Sequence, residues 1–465
     1  MSHRRITQPH VEHQKQLATR QARKGISSGQ LLFIGVASIM GAGFFLATAT
    51  VMRETGPAIL WGYLLGGGVV GTVFAALGEM LASDPGKGGS FKVYAEEYIG
   101  RGVGFVGGWM YLFAGVLIMS SEVTALGIFT QRWLPHLPLW MLSAVYAVLA
   151  LGINWLGVRN FGRIESLFAA IKLGAVVGFI VLAVIFGWRL IFSPHPWAMT
   201  VTGWESAGLK GFWTSLIMIF FTYGGVAATG LASAELEDQR LIPWAFRRLV
   251  HLLVLLYVGS LALVVWLVPQ QQISPQQSPF VTVLTLLHVP FADEVLNGVI
   301  ITAAFSTMVA AMFSVTRILL SLAEDGEAPQ KLLKVNRRGV PTRALLLSSA
   351  GLLAAIIMSY VLPKTVYELL TTSAGIILIL KWGVVLWTHH HFRKTVHAGF
   401  GRMRGYPVRS GLTATVIGLV LLGCWWDPNH RISLYISLGI VACIAIVYGW
   451  ARRRLTPRWD APESS

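Results

Sequence analysis

Long apolar runs separated by short polar segments fill most of this chain. About twelve runs stand out, at residues 28–50, 57–82, 102–131, 139–157, 165–189, 211–235, 244–268, 291–322, 343–361, 365–388, 409–426 and 431–451. Each is near or above the ~20 residues that cross ~30 Å of hydrocarbon. None alternates with the period of a strand, so the pattern predicts helices as the spanning element. Two runs are odd within themselves. "IMGAGFFLATAT", Ile39 to Thr50, and "FFTYGGVAATG", Phe220 to Gly230, each place two glycines where a continuous helix favours Ala or Leu.

Composition agrees with the pattern. Of the 465 residues 54% are hydrophobic and only 12% charged, with mean hydropathy +0.63. A soluble domain carries about 25% charge. The chain therefore reads as an all-α polytopic membrane protein embedded in a lipid bilayer.

A net charge of +16 raises nucleic acid as a partner, and the placement of the charges excludes it. With the first tail inside and the spans alternating, the outer loops hold only Arg53, Arg132, Arg189, Lys210, Lys364 and Arg431. Arg317 and Lys381 fall within spans, and the remaining Lys and Arg lie on segments or span ends assigned inside. That asymmetry places both termini in the cytoplasm of a plasma (inner) membrane protein. The polar, basic stretch 1–27 has no apolar core and no cleavage site, so it reads as a tail and not a signal peptide. Cys424 and Cys443 lie in the last two runs and imply neither a disulfide framework nor a metal site. "HHH" at 389–391 reads as the opening of a solvated basic loop rather than a metal site, because no second ligand cluster lies near it. No cofactor is expected.

The glycine breaks carry the organisation. They fall in the first and sixth runs, so each heads five spans, and the two runs enter the membrane from opposite sides. Paired interrupted spans at matching positions are the signature of an inverted repeat around a substrate site. The expected units are a tail 1–27, five helices over 28–189, an inverted five over 211–388, two further helices over 409–451 and a tail 452–465. Breaking a helix in hydrocarbon leaves N–H and C=O groups unpaired unless protein, water or ligand meets them. An α-amino acid has a carboxylate for the freed amides and an ammonium for the freed carbonyls. Close helix packing is the competing reading for Gly41 and Gly43, as it is for Gly62/Gly66 and Gly67/Gly71 of the second span.

Longer stretches are familiar. "IMGAGFFLATATVMRETGPAILWGYLLGG", "ALGEMLASDPGKGGSFKVYAEEYIG", "SPFVTVLTLLHVPFADEVLNGVIITAAFS" and "RILLSLAEDGEAPQKLLKVNRRGVPTRALL" occur in this order. Over residues 25–450 the chain resembles bacterial amino acid permeases of the amino acid–polyamine–organocation superfamily. The resemblance implies a five-plus-five inverted repeat of leucine-transporter type plus two extra helices, with alternating access around a central amino acid site. It also implies a substrate carboxylate on amides near Gly41, Ala42 and Gly43, and an ammonium at carbonyls near Ile39 and at Phe221, Tyr223, Gly224 and the adjoining Gly225. Phe221 then matches the occluding aromatic of the sixth span, with ordinary packing as the alternative. Relatives that take cationic amino acids carry an acid just after the sixth-span glycines. Here Ala227 and Ala228 stand there, which favours a neutral substrate. "DPGKGGSF", 84–91, lacks the spacing of a phosphate loop and reads as a tight-turning loop.

Charges within spans need a reason, since each costs roughly 2.5–3.5 kcal/mol on insertion scales. Arg317 and Lys381 lie near span ends, and snorkelling explains both. Glu79 fits a gate or plain interfacial placement. Glu122 fits an interhelical hydrogen bonder or a substrate or proton ligand. Lys172 fits snorkelling from residue type and depth. The resemblance instead places its ammonium where sodium-driven relatives hold a cation, which implies protons as the coupling ion. A proton-coupled symporter is the leading expectation, an amino acid exchanger the second and a permease-like sensor the third. No span carries a convergent catalytic set, so an enzyme is not expected.

Overall fold

A helix that stops inside hydrocarbon must find partners for the groups it releases, and this requirement shapes the centre of the fold. The computed structural model describes residues 26–84, 91–156, 161–191, 203–336, 340–396 and 400–451. The two tails and residues 85–90 of the glycine-rich loop lie outside the described residues. Those described are helices and turns, with one parallel bridge between Ile26 and Leu236. Among them, ten helical stretches are long and apolar enough to cross a membrane. Two shorter apolar pieces, Ser28–Ile39 and Gly211–Thr222, each belong to a broken span.

The first span opens on a capping box. Gln30 N–H donates to Ser27 Oγ at 3.3 Å, and Ser27 N–H donates to Gln30 Oε1 at 2.9 Å. The helix Ser28–Ile39 stops where Met40 turns extended, at φ −83° and ψ 92°. A π-helical turn, Gly43–Ala47, leads into the second half, Thr48–Thr55. The sixth span runs Gly203–Thr222, turns through Gly225 and resumes as Val226–Ser233. Gly225 has φ +95°, a region open to glycine and strained for other residues.

The unbroken spans are Ile59–Ser83, Arg101–Gln131, Leu139–Leu156, Phe161–Ile191, Ile242–Leu267, Ala292–Glu324, Thr342–Val361, Val366–Thr395, Val408–Trp426 and Pro428–Ala451. Helices Phe91–Tyr98 and Pro279–Leu286 lie between spans. The second span packs on the seventh and the third on the eighth. The opening half of the first span lies beside the closing half of the sixth, and the reverse pairing also holds. The two breaks thus meet at one level. A Cβ placed on Gly225 would stand 2.7 Å from Ser38 O. Val148, Leu255, Leu353 and Ile446 are exposed on the outer surface, as a lipid-facing wall requires.

Candidate functional site

The face on which the first span begins is called near here, and its opposite far. A cavity lies at the two breaks, with about 770 Å³ of empty space when its part open to solvent is counted. Ile39, Gly41 and Gly43 line it from the first span, Phe221, Gly224 and Gly225 from the sixth, and Glu122 from the third. Its walls continue along Tyr111, Val315 and Lys381, on the near-face parts of the third, eighth and tenth spans. Just past the first break an aromatic cluster packs outside the cavity lining: the Phe44 ring stacks on Tyr257 at 4.0 Å and meets Phe280 at 5.0 Å. A separate recess opens on the far face, and Tyr367 lines it. The Tyr367 hydroxyl also donates to Ala42 O at 3.3 Å, so it stands between that recess and the first break.

The glycines have spatial reasons. A Cβ on Gly41 would run into Glu122 Oε1, and one on Gly43 would lie 2.7 Å from the Phe221 ring. Phe221 therefore covers the break, and is buried. Ala42 does not line the cavity. Its N–H donates to both oxygens of Glu122, at 3.1 and 3.0 Å. The amide expected for a substrate carboxylate is thus held by the third-span carboxylate in this structure. Tyr223 also faces elsewhere, its hydroxyl donating to Tyr63 O at 3.0 Å. Ala228 lines the cavity, while the Ala227 side chain lies outside what is described.

Lys172 is fully buried behind the first break. Its Nζ donates to Ala37 O at 2.8 Å and to Thr307 Oγ1 at 2.6 Å. Ala37 sits in the last turn before the break, where a carbonyl loses its helical partner. The ammonium therefore ties the fifth span to the first and eighth, and no snorkelling is involved. Lys172 also acts electrostatically on Glu122 across the same site.

Two other charges differ from expectation, in each case because depth along a span says nothing of the face a side chain takes. Lys381 does not snorkel: it is 3% exposed, its Nζ lies 4.5 Å from the Tyr111 ring centroid, and it lines the cavity. The "HHH" run does not open a loop, because the tenth helix continues to Thr395. His389 is buried and bonds Glu79 Oε2 at 2.9 Å, while His390 stays exposed and His391 is half-buried. Glu79, near the end of the second span, is buried. It also accepts from the Arg393 guanidinium at 2.7 Å and from Met403 N–H at 2.9 Å, which ties the second span to the tenth. Arg317 is exposed over the Phe313 ring, in keeping with snorkelling.

Sequence reading missed Thr307, Tyr257 and Tyr367. The Tyr257 hydroxyl donates to Thr222 O at 3.2 Å and so caps the sixth-span break. Their only signal is a hydroxyl inside an apolar run, which every span carries. Among the described residues, no group of His, Cys, Asp or Glu is placed to hold a metal ion. The cavity offers turn backbone, a carboxylate, hydroxyls and one ammonium group, that of Lys381, to a small zwitterion.

Residues 30–461 match the family described as "Amino acid permease". The chain is 34% identical over 433 residues to "Uncharacterized transporter YcgH" of Bacillus subtilis (strain 168), covering 92% of this chain and 95% of that protein. It is 32% identical over 430 residues to "Aromatic amino acid transport protein AroP" of Escherichia coli (strain K12), covering 90% and 93%. The Salmonella typhimurium (strain LT2) protein of the same name is 32% identical over 428 residues, with the same coverage. With the broken spans, their shared cavity and these relatives together, the chain belongs to the amino acid permease family, as a multi-pass membrane transporter of the leucine-transporter fold and not an enzyme.

Proposed function

We propose that this protein imports a neutral amino acid, of the aromatic class, across the plasma membrane together with a proton. The observation that carries the reading is the bond from Lys172 Nζ to the Ala37 carbonyl freed beside the first break. The substrate carboxylate is assigned to the Gly41 and Gly43 backbone, with Glu122 keeping Ala42. The substrate ammonium is assigned to the carbonyls of Ile39 and of the turn from Phe221 through Tyr223 and Gly224 to Gly225. Phe221 closes over the bound molecule. Relatives named for aromatic amino acid transport support the side-chain class, and Ala228 in the wall supports the absence of an acid for a basic side chain.

Protonated, Lys172 holds the fifth span on the first and keeps the binding backbone in shape. After giving up its proton it has no charge with which to hold Ala37 and Thr307, the tie loosens and the substrate leaves. In this reading the near face is cytoplasmic, both termini lie there, and the cavity is that of the inward-facing state. The proposed units are tails 1–27 and 452–465, five-helix repeats 28–189 and 211–388, and the added pair 409–451.

The test is accumulation of labelled phenylalanine in proteoliposomes under an imposed pH gradient. Wild type should concentrate it without sodium, and more so as the outside is acidified. Lys172→Ala should lose gradient-driven accumulation while keeping exchange. Lys172→Arg should lose it too, since a guanidinium does not give up its proton. Undiminished pH-driven accumulation by Lys172→Ala would move the proton site to Glu122 or Glu79.

A further inference from the structure

Lys381 is the one charge in the cavity wall for which the transport cycle above has no task. Its ammonium rests on the Tyr111 ring, and among the described residues no carboxylate or hydrogen-bond acceptor pairs with it. The Tyr111 hydroxyl is itself buried without a hydrogen-bond partner. A desolvated cation is poorly stable unless something at the site answers it, and a ring face answers only in part.

The pair sits where a side chain would end. Leu378 approaches the sixth-span turn, within 3.7 Å of a Cβ placed on Gly224. Lys381 lies three residues further along the tenth span, about 4.5 Å nearer the near face. Between the breaks and this pair the wall carries the small Ala114, Ala310 and Ala311 beside Ile118 and Val315, so it is apolar as well as uncharged.

We propose that Lys381 and Tyr111 form the subsite that reads the end of the substrate side chain, admitting aromatic rings and excluding cationic amino acids. A ring entering here lies against Tyr111 and offers its π face to the ammonium, as the Tyr111 ring already does. A lysine or arginine side chain would bring a like charge into the same dry pocket. This assignment rests on the amino acid reading above and names the group that sets its specificity.

The experiment is competition for phenylalanine uptake by the purified full-length protein in proteoliposomes. In the wild type tyrosine and tryptophan should compete, and lysine and arginine should not. Lys381→Met should improve arginine competition relative to tyrosine by about tenfold or more. Lys381→Glu should improve it further, and Lys381→Arg should keep the exclusion. Where a variant does not transport, thermal shifts of the solubilised protein with phenylalanine and with arginine replace uptake. A Lys381→Met protein that handles phenylalanine and still rejects arginine as the wild type does overturns the proposal. Stronger competition by aspartate or glutamate than by tyrosine in the wild type overturns the choice of a ring. Failure of the wild type to take up or bind any amino acid defeats the underlying substrate reading instead.

Discussion

Gly43 and Gly225, one in each break, do different work. Gly43 leaves space: a side chain there would displace the Phe221 ring that covers the site. Gly225 supplies a backbone conformation at φ +95° and lets the Ser38 carbonyl approach. Replacing either by Leu should abolish uptake while the protein still inserts and elutes as a folded species, because the outer walls of the bundle are untouched. Gly43→Leu acts by filling the substrate's space, Gly225→Leu by strain and by separating the two breaks. Normal uptake by either variant would reduce the glycines to packing. Glu122 makes the same point from the other side. Its carboxylate takes the Ala42 amide that the family pattern assigned to substrate, and nothing local to "MSSEVTALG" announces that partner.

Between elements, charge does the joining on the near face. The short helix Phe91–Tyr98 carries Lys92, whose Nζ lies 2.6 Å from Asp325 and 2.8 Å from Glu327 at the end of the eighth span. Burial by itself lowers the Lys92 ammonium, yet Glu327 and Asp325 hold it above the ordinary lysine value. A raised folded pKa stabilises the protein below the unfolded value, about 10.4, and that contribution fades only as pH climbs through the folded one. The clasp should therefore persist across neutral pH and loosen in strong alkali. Lys92→Met leaves two carboxylates facing each other without their cation and should cost on the order of 3 kcal/mol. It should be read as a lowered thermal midpoint in detergent whose deficit shrinks above pH 10.5 or so. A midpoint equal to wild type at pH 7 would show the clasp to be solvent-screened.

Across the whole bundle the cavity lining runs from the two breaks along the near-face parts of the third, eighth and tenth spans, with an aromatic cluster packed just past the first break. The far face is also clasped by Arg132, 2.8 Å from Asp293 on the eighth span. On the proposed orientation, Ser314→Cys in the cavity wall should react with a membrane-impermeant maleimide in inside-out vesicles and not in right-side-out ones. The background needs Cys424→Ala and Cys443→Ala. Saturating substrate should slow labelling by several-fold, since occupancy covers the wall and shifts the carrier toward closure. Equal labelling from both sides would contradict the orientation and the one-sided opening together.

Class, span number and the two breaks were legible in the chain because their causes are local. Run length sets whether a segment crosses hydrocarbon, and a glycine pair weakens a helix wherever it stands. Partners were not legible. A span in lipid is apolar on the face that meets other helices and on the face that meets acyl chains, so hydropathy does not say which way a polar residue turns. Lys381 and Arg317 both looked like snorkelling residues; Lys381 turns inward onto Tyr111, while Arg317 stays exposed. Glu79 and His389 are 310 residues apart, and only the packing of the second span on the tenth brings them within a hydrogen bond. Depth is written in one dimension and face in three, so the chain named the charged residues and the assembled bundle chose their neighbours.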